Sequence, residues 1–335
     1  MEEVIKVENL EKNYKSLPAV NDISFSVKRG EIFGILGPNG AGKTTTLEII
    51  ECLKPQTSGS VTVLGFDNLK NADEIKKRIG IQLQSSQYLH HLSLGELLDL
   101  FASLYPPTLS SRPTSAAEKR RDPLLPRVEG FLGSDATARN DKFELLRLVG
   151  LEDKKNSEVK NLSGGQKQRF TIATSLVNNP EILFLDEPTT GLDPSARRSL
   201  WQLIKDINSQ GTTIVMTTHF MEEAELLCNR VAVMDEGKIL EIGEPKKLIE
   251  KHTQTIQVSF FTDKNVGAEA YKKIDGVFSV RATYPQALLE LTDLNKLSAL
   301  VESLKKENIN FYGFAVKTAS LEDVYLKLTG KEYLE

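Results

Sequence analysis

The sequence predicts an α/β core built on a parallel sheet, followed by a smaller α+β domain. Three observations lead there. Short apolar runs alternate with helical patterns through the first 245 residues. A glycine-rich loop, Gly37 to Thr45, joins one such run to a helix. From about residue 250 the pattern changes to closely spaced strands with helices between and after them.

Val4–Val7, Ile23–Val27 and Ile32–Leu36 read as strands, punctuated by turn residues such as Lys28-Arg29-Gly30. A helix is expected from Lys43 to about Cys52. Ser60–Leu64 and Ile79–Leu83 are further strands, and residues 92–105 and 141–149 carry Leu and Phe at helical spacing. Ile182–Leu185, Thr213–Met216 and Val231–Met234 are apolar runs of strand length, the first two separated by helical patterns. Beyond 250, strands are expected at Thr255–Phe261, Val277–Ala282, Leu288–Leu291 and Phe311–Val316, with helices near 266–274, 295–307 and 321–329. This gives a domain over 1–245 and a second over 250–330, the latter read as ferredoxin-like.

Residues 106–140 stand apart. They hold five of the 13 prolines and five of the 13 arginines and show no helical or strand period. A compact domain rarely contains so long a structureless connection, so the stretch reads as an insertion.

Composition narrows the function. The 335 residues carry a net charge of −4 from 42 basic and 46 acidic side chains, which gives no general reason to expect nucleic acid as a partner. Cys52 and Cys228 are the only cysteines and lie outside any metal-ligand spacing, as in a reduced, cytosolic protein. The N-terminus MEEVIKVENL lacks a signal pattern, and no apolar stretch is long enough to span a membrane.

GPNGAGKTT satisfies the P-loop pattern in its proper setting, after an apolar strand and at the start of a helix. Backbone N–H groups of Gly37, Pro38-Asn39, Gly40, Ala41 and Gly42 through Thr45 can close around phosphates, proline contributing position but no donor. Lys43 would reach the β- and γ-phosphates of ATP, and Thr44 would ligate Mg²⁺. ILFLDE, Ile182 to Glu187, is an apolar strand ending in two carboxylates. Asp186 can hold Mg²⁺, and Glu187 can polarise the attacking water. LSGGQ, Leu162 to Gln166, places a serine and two glycines at a helix start, a second anion-binding terminus.

With these motifs in this order, residues 1–245 resemble the nucleotide-binding subunits of ABC transporters. The resemblance implies a P-loop NTPase core with an antiparallel β subdomain and a helical subdomain at about 85–175. It implies two subunits packed head to tail, with ATP held between one chain's P-loop and the other's Ser163, Gly164, Gly165 and Gln166. Tyr14 would stack on adenine, His219 would touch the γ-phosphate, and Asp193 would couple the two sites. Of Gln82 and Gln84, which share a strand face, Gln84 is assigned to sensing Mg²⁺ and the membrane partner, with Gln82 the alternative. The end of the chain, ASLEDVYLKLTG, resembles the extension on ATP-binding subunits of ABC-2-type exporters. The implied function is ATP hydrolysis on the cytoplasmic face of the membrane, driving a separate integral membrane permease. The rival readings are a soluble ABC ATPase acting on ribosomes or DNA, and a regulator that binds ATP without hydrolysing it. Family members have a short connection where 106–140 lies, so coupling to transport is what the insertion bears on.

Overall fold

A computed structural model describes residues 2–15, 17–82, 88–89, 91–105, 142–253 and 255–330. The chain divides into two compact units, Met1–Ile242 and Gly243–Glu335.

In the first unit, β1 (Glu3–Tyr14) and β2 (Leu17–Lys28) form a long antiparallel hairpin. Both strands run well past the apolar segments that announce them. Val4, Ile5, Val7 and Leu10 are buried while the intervening acidic and basic residues face solvent, so the ends of each strand read as polar in sequence. β3 (Ile32–Leu36) leads through the P-loop into α1 (Lys43–Ile50). Then come β4 (Ser58–Val63), β5 (Phe66–Asp67), α2 (Ala72–Lys76) and β6 (Ile79–Gln82). The helices α3 (Leu94–Ser103), α4 (Lys142–Leu148) and α5 (Gly164–Ser175) pack on one another. The insertion 106–140 falls outside the described residues. β7 (Ile182–Asp186), α6 (Pro194–Ser209), β8 (Thr213–Thr218), α7 (Met221–Leu227), β9 (Arg230–Asp235) and β10 (Lys238–Gly243) complete the unit.

Two sheets result. One is the antiparallel layer β2-β1-β4-β5; the other has the order β10-β9-β3-β8-β7-β6. In the second sheet β9, β3, β8, β7 and β6 are parallel neighbours. Every residue of β3, β7 and β8 is buried, which is why these strands read as unbroken apolar runs. Register sets the site: Leu36 pairs with Thr218 and Asp186 with Thr217. The carboxyl ends of β3, β7 and β8 therefore finish side by side, where open α/β sheets bind ligands.

The second unit opens with α8 (Pro245–His252), which contacts the final helix, and continues β11 (Ile256–Thr262), α9 (Ala268–Lys272), β12 (Val277–Thr283), β13 (Gln286–Leu291), α10 (Lys296–Lys306), β14 (Phe311–Lys317) and α11 (Leu321–Thr329). The β-α-β-β-α-β succession forms one sheet of order β12-β13-β11-β14, with all three pairings antiparallel. This is the ferredoxin-like arrangement. Val258, Phe260, Leu289 and Leu291 of the sheet pack with Tyr271, Leu300 and Leu304 of the two helices. Among the described residues, no helix is long and apolar enough to cross a membrane.

Candidate functional site

Backbone crowding shapes the P-loop. A side chain at Gly37 would put its Cβ 2.1 Å from the Met234 carbonyl oxygen, and one at Gly42, where φ is +101°, would lie 2.4 Å from that of Ala19. Glycine is required at both by close approach, and at Gly42 also by the left-handed backbone. The same contact brings β2 against the loop. Tyr14, paired with Leu17 at the tip of that hairpin, is 42% exposed, with the ammonium groups of Lys12 and Lys54 at 5.3 and 5.8 Å from its ring centre.

Lys43 is buried at the start of α1. Its ammonium donates to the carbonyls of Gly37 (2.9 Å) and Pro38 (3.0 Å) and stands 3.1 Å from Glu187 Oε1. Thr44 Oγ1 donates to Asp186, 3.2 Å from each carboxylate oxygen. The expected phosphate loop and the expected carboxylate pair thus meet directly.

Glu187 is the pivot. It has φ +45°, an uncommon conformation for a residue other than glycine and one that recurs at functional sites. Its Oε2 lies 3.2 Å from His219 Nδ1 and accepts from Thr190 Oγ1 at 3.2 Å. Burial works to raise its pKa, but the hydrogen bond and charge of Lys43, with His219, lower it more. The carboxylate is held ionised.

Thr217 was not singled out in the sequence. Its hydroxyl donates to Asp186 Oδ1 and accepts the Glu187 N–H at 2.9 Å, so one side chain clamps both acidic residues. The available signal was a threonine near the end of an apolar strand, two residues before a histidine.

LSGGQ forms a capping box. Gln166 N–H donates to Ser163 Oγ at 3.3 Å, and Ser163 N–H donates to Gln166 Oε1 at 2.9 Å. Ser163 and Gly164 are exposed at this helix terminus, and nothing lies within 4 Å of a Cβ built on Gly164. Asp193 caps α6, accepting from Ser195 N–H (2.9 Å) and Ala196 N–H (3.0 Å). The Ala196 N–H leads in holding its carboxyl below the usual range, against a smaller opposing effect of burial. Gln84 lies outside the described residues; Gln82 is fully buried at the end of β6, in register with Leu185.

A cavity of about 1010 Å³ lies elsewhere, in the second unit, lined in part by Gln257, Arg281, Leu288, Glu290 and Leu326. It contains none of the P-loop, LSGGQ or ILFLDE residues. The chemistry gathers instead at the ends of β3, β7 and β8.

The profile of the ABC transporter family matches residues 20–190. The chain belongs to the ABC transporter family. The Nod factor export ATP-binding protein I of Cupriavidus pinatubonensis is 34% identical to this ABC subunit, over 98% of this chain and 91% of its own. The linearmycin resistance ATP-binding protein LnrL of Bacillus subtilis is 30% identical over 98% and 99%. Among solved structures, the ATP-binding cassette MJ0796, seen as a dimer in a post-hydrolysis state with ADP and Pi, is 29% identical. It matches with a TM-score of 0.57 over 72% of this chain and 98% of its own. The cbiO1 subunit of Clostridium perfringens, part of the ABC transporter complex cbiONQ, is also 29% identical. Its TM-score is 0.61, over 75% and 92% of the two chains. This ABC subunit is therefore the ATP-binding component of a transporter, as its motif order implied.

Proposed function

We propose that this ABC subunit hydrolyses ATP as a head-to-tail dimer on the inner face of the membrane and drives a separate export permease. The observation that carries the reading is the Glu187 carboxylate, ionised and set between Lys43 and His219 at the mouth of the P-loop. The names of the relatives, a Nod factor export protein and a linearmycin resistance protein, support export, and the dimeric MJ0796 supports the pairing.

Each residue then has a task. Lys43 turns from Glu187 to the β- and γ-phosphates, and P-loop N–H groups from Gly37 to Thr45 wrap them. Glu187, released from the lysine, orients the water that attacks the γ-phosphate. His219 stabilises charge on that phosphate, and Thr217 keeps Asp186 and Glu187 fixed relative to each other. Tyr14 stacks on adenine at the open rim. Ser163, Gly164, Gly165 and Gln166 of the second copy close over the γ-phosphate, and Asp193 links the two sites. Gln84 is assigned to sensing the metal and the permease.

The metal donors fit Mg²⁺. Thr44 Oγ1 and the Asp186 carboxylate present hard oxygens to one point, and Mg²⁺ is commonly held by one or two protein oxygens together with phosphates and water. Among the described residues no cluster of three or more His, Cys, Asp or Glu suits a metal held by protein alone. When bound, Mg²⁺ supplies positive charge against that growing on the phosphates.

Phosphate release by the full chain with Mg-ATP tests the proposal, with Lys43→Ala as the control. Turnover that disappears in the control is expected. Equal phosphate release from both chains would refute hydrolysis at this site.

A further inference from the structure

The turn that carries His219 is packed against α6 by a group that no motif names. Glu223, in the first turn of α7, is fully buried, and the indole N–H of Trp201 on α6 donates to its Oε1 at 2.9 Å. Burial pushes its pKa up, while Thr218, Trp201, Thr189 and the charge of Arg197 act in the opposite sense. The indole hydrogen bond thus ties α7, which follows the His219 turn, to α6. Thr218 immediately precedes His219, Thr189 follows Glu187 by two residues, and α6 is the helix that Asp193 caps.

The surroundings reinforce the junction. The Arg197 guanidinium lies 4.3 Å above the Phe220 ring, whose centre is 4.1 Å from that of His219. Glu223 Oε2, Thr189 Oγ1 and Arg197 Nε are all buried, and none makes a well-formed hydrogen bond. Burying a polar atom without a partner is costly. Side chains chosen only to fill space would avoid that cost, so bonding capacity left over at one joint calls for a reason.

We propose that Glu223 is a positioning residue for ATP hydrolysis: through Trp201 it ties the His219 turn to α6, the helix that Asp193 caps, so that the γ-phosphate contact and the dimer-facing loop are set together. This rests on the hydrolytic reading above. Glu223 touches no substrate. It acts by holding His219 where Glu187 and the phosphate meet, so its loss lowers kcat and spares ATP binding.

The test uses the full chain and three variants, Glu223→Leu, Glu223→Gln and Trp201→Phe. Glu223→Leu should lower kcat at least tenfold with the KM for ATP within twofold of the parent. Glu223→Gln keeps the acceptor for the indole N–H and should restore at least half of the activity. Trp201→Phe removes only that donor and should lower kcat two- to fivefold at unchanged KM; it carries the test if Glu223→Leu does not fold. Trp201 is the chain's single tryptophan, so its emission should shift in Glu223→Leu and return in Glu223→Gln. Parental kcat in Glu223→Leu, or in Trp201→Phe where that variant stands alone, would overturn the inference, as would a KM that rises in step with the loss. Glu223→Gln no better than Glu223→Leu, or unchanged emission in Glu223→Leu, would overturn it equally. Absence of turnover in the parent chain would instead overturn the hydrolytic reading beneath it.

Discussion

Lys43 Nζ and Glu187 Oε1 face each other across 3.1 Å with 4% and 9% of their side chains exposed. This ion pair joins the first residue of α1 to the residue after β7. In water such a pair would matter little, but removing one member of a buried pair leaves a charge without its partner.

Lys43→Ala should therefore destabilise the protein as well as abolish phosphate binding, by about 3–5 kcal/mol on the scale of broken buried pairs. Adding Glu187→Gln removes the stranded charge and should return at least about 1 kcal/mol of that loss. Urea unfolding of the two single variants and the double variant measures the coupling. Strict additivity would mean that the two side chains do not interact.

Thr217→Val keeps the shape of a fully buried side chain but removes both hydrogen bonds, leaving the Glu187 N–H and one Asp186 oxygen short of a partner. It should cost about 1–3 kcal/mol of stability. It should also reduce ATP turnover at least tenfold, while Thr217→Ser should recover most of both. Recovery of stability without turnover would show that the methyl group, and not the clamp, matters to the rate.

Glu51 closes α1 and is almost fully buried, with one carboxylate oxygen unpaired. Burial foremost, then the charges of Asp186 and Glu48, push its pKa up to about 8. Its unfolded pKa lies near 4.5, so between these values the folded protein retains a proton that the unfolded chain releases. Stability then falls as pH rises through that window, by about 1.4 kcal/mol per pH unit at most. Glu51→Gln should raise the melting temperature, more at pH 8 than at pH 5. A gain equal at both values would contradict this proton linkage.

Much of this site was legible because its signals are local. The P-loop is one continuous stretch, and the serine and glutamine of LSGGQ are spaced three apart, which makes the capping box at Ser163 readable from the chain. The ferredoxin-like order of the second unit followed from strand and helix succession. What was not legible depends on distant partners. Trp201 and Glu223 are separated by a strand, and neither residue type announces the other. The Thr217 clamp requires the register between β7 and β8, which two parallel apolar runs do not reveal by themselves. β10 and α8 were missed because Lys, Glu and Gly dilute their apolar periodicity.

Ser163→Arg should abolish hydrolysis although Ser163 belongs to the helical part of the fold, because in the proposed dimer its helix terminus closes over the other copy's phosphate. Loss of the cap should cost only about 1 kcal/mol, so the variant should still fold. Mixing it with Lys43→Ala produces dimers with one intact composite site and one carrying both changes, and activity should reappear in the mixture. Full activity of Ser163→Arg alone would remove this terminus from the site.

The most direct test of hydrolysis by an ATP-closed dimer is the molar mass of Glu187→Gln, measured by size-exclusion chromatography with light scattering, without nucleotide and with Mg-ATP or Mg-ADP. Loss of the water-orienting carboxylate should slow hydrolysis by orders of magnitude while ATP still binds. Mg-ATP alone should then convert the chain to a stable species of twice the monomer mass. A chain that stays monomeric with saturating Mg-ATP, or that hydrolyses ATP at the parental rate, would contradict the proposed mechanism.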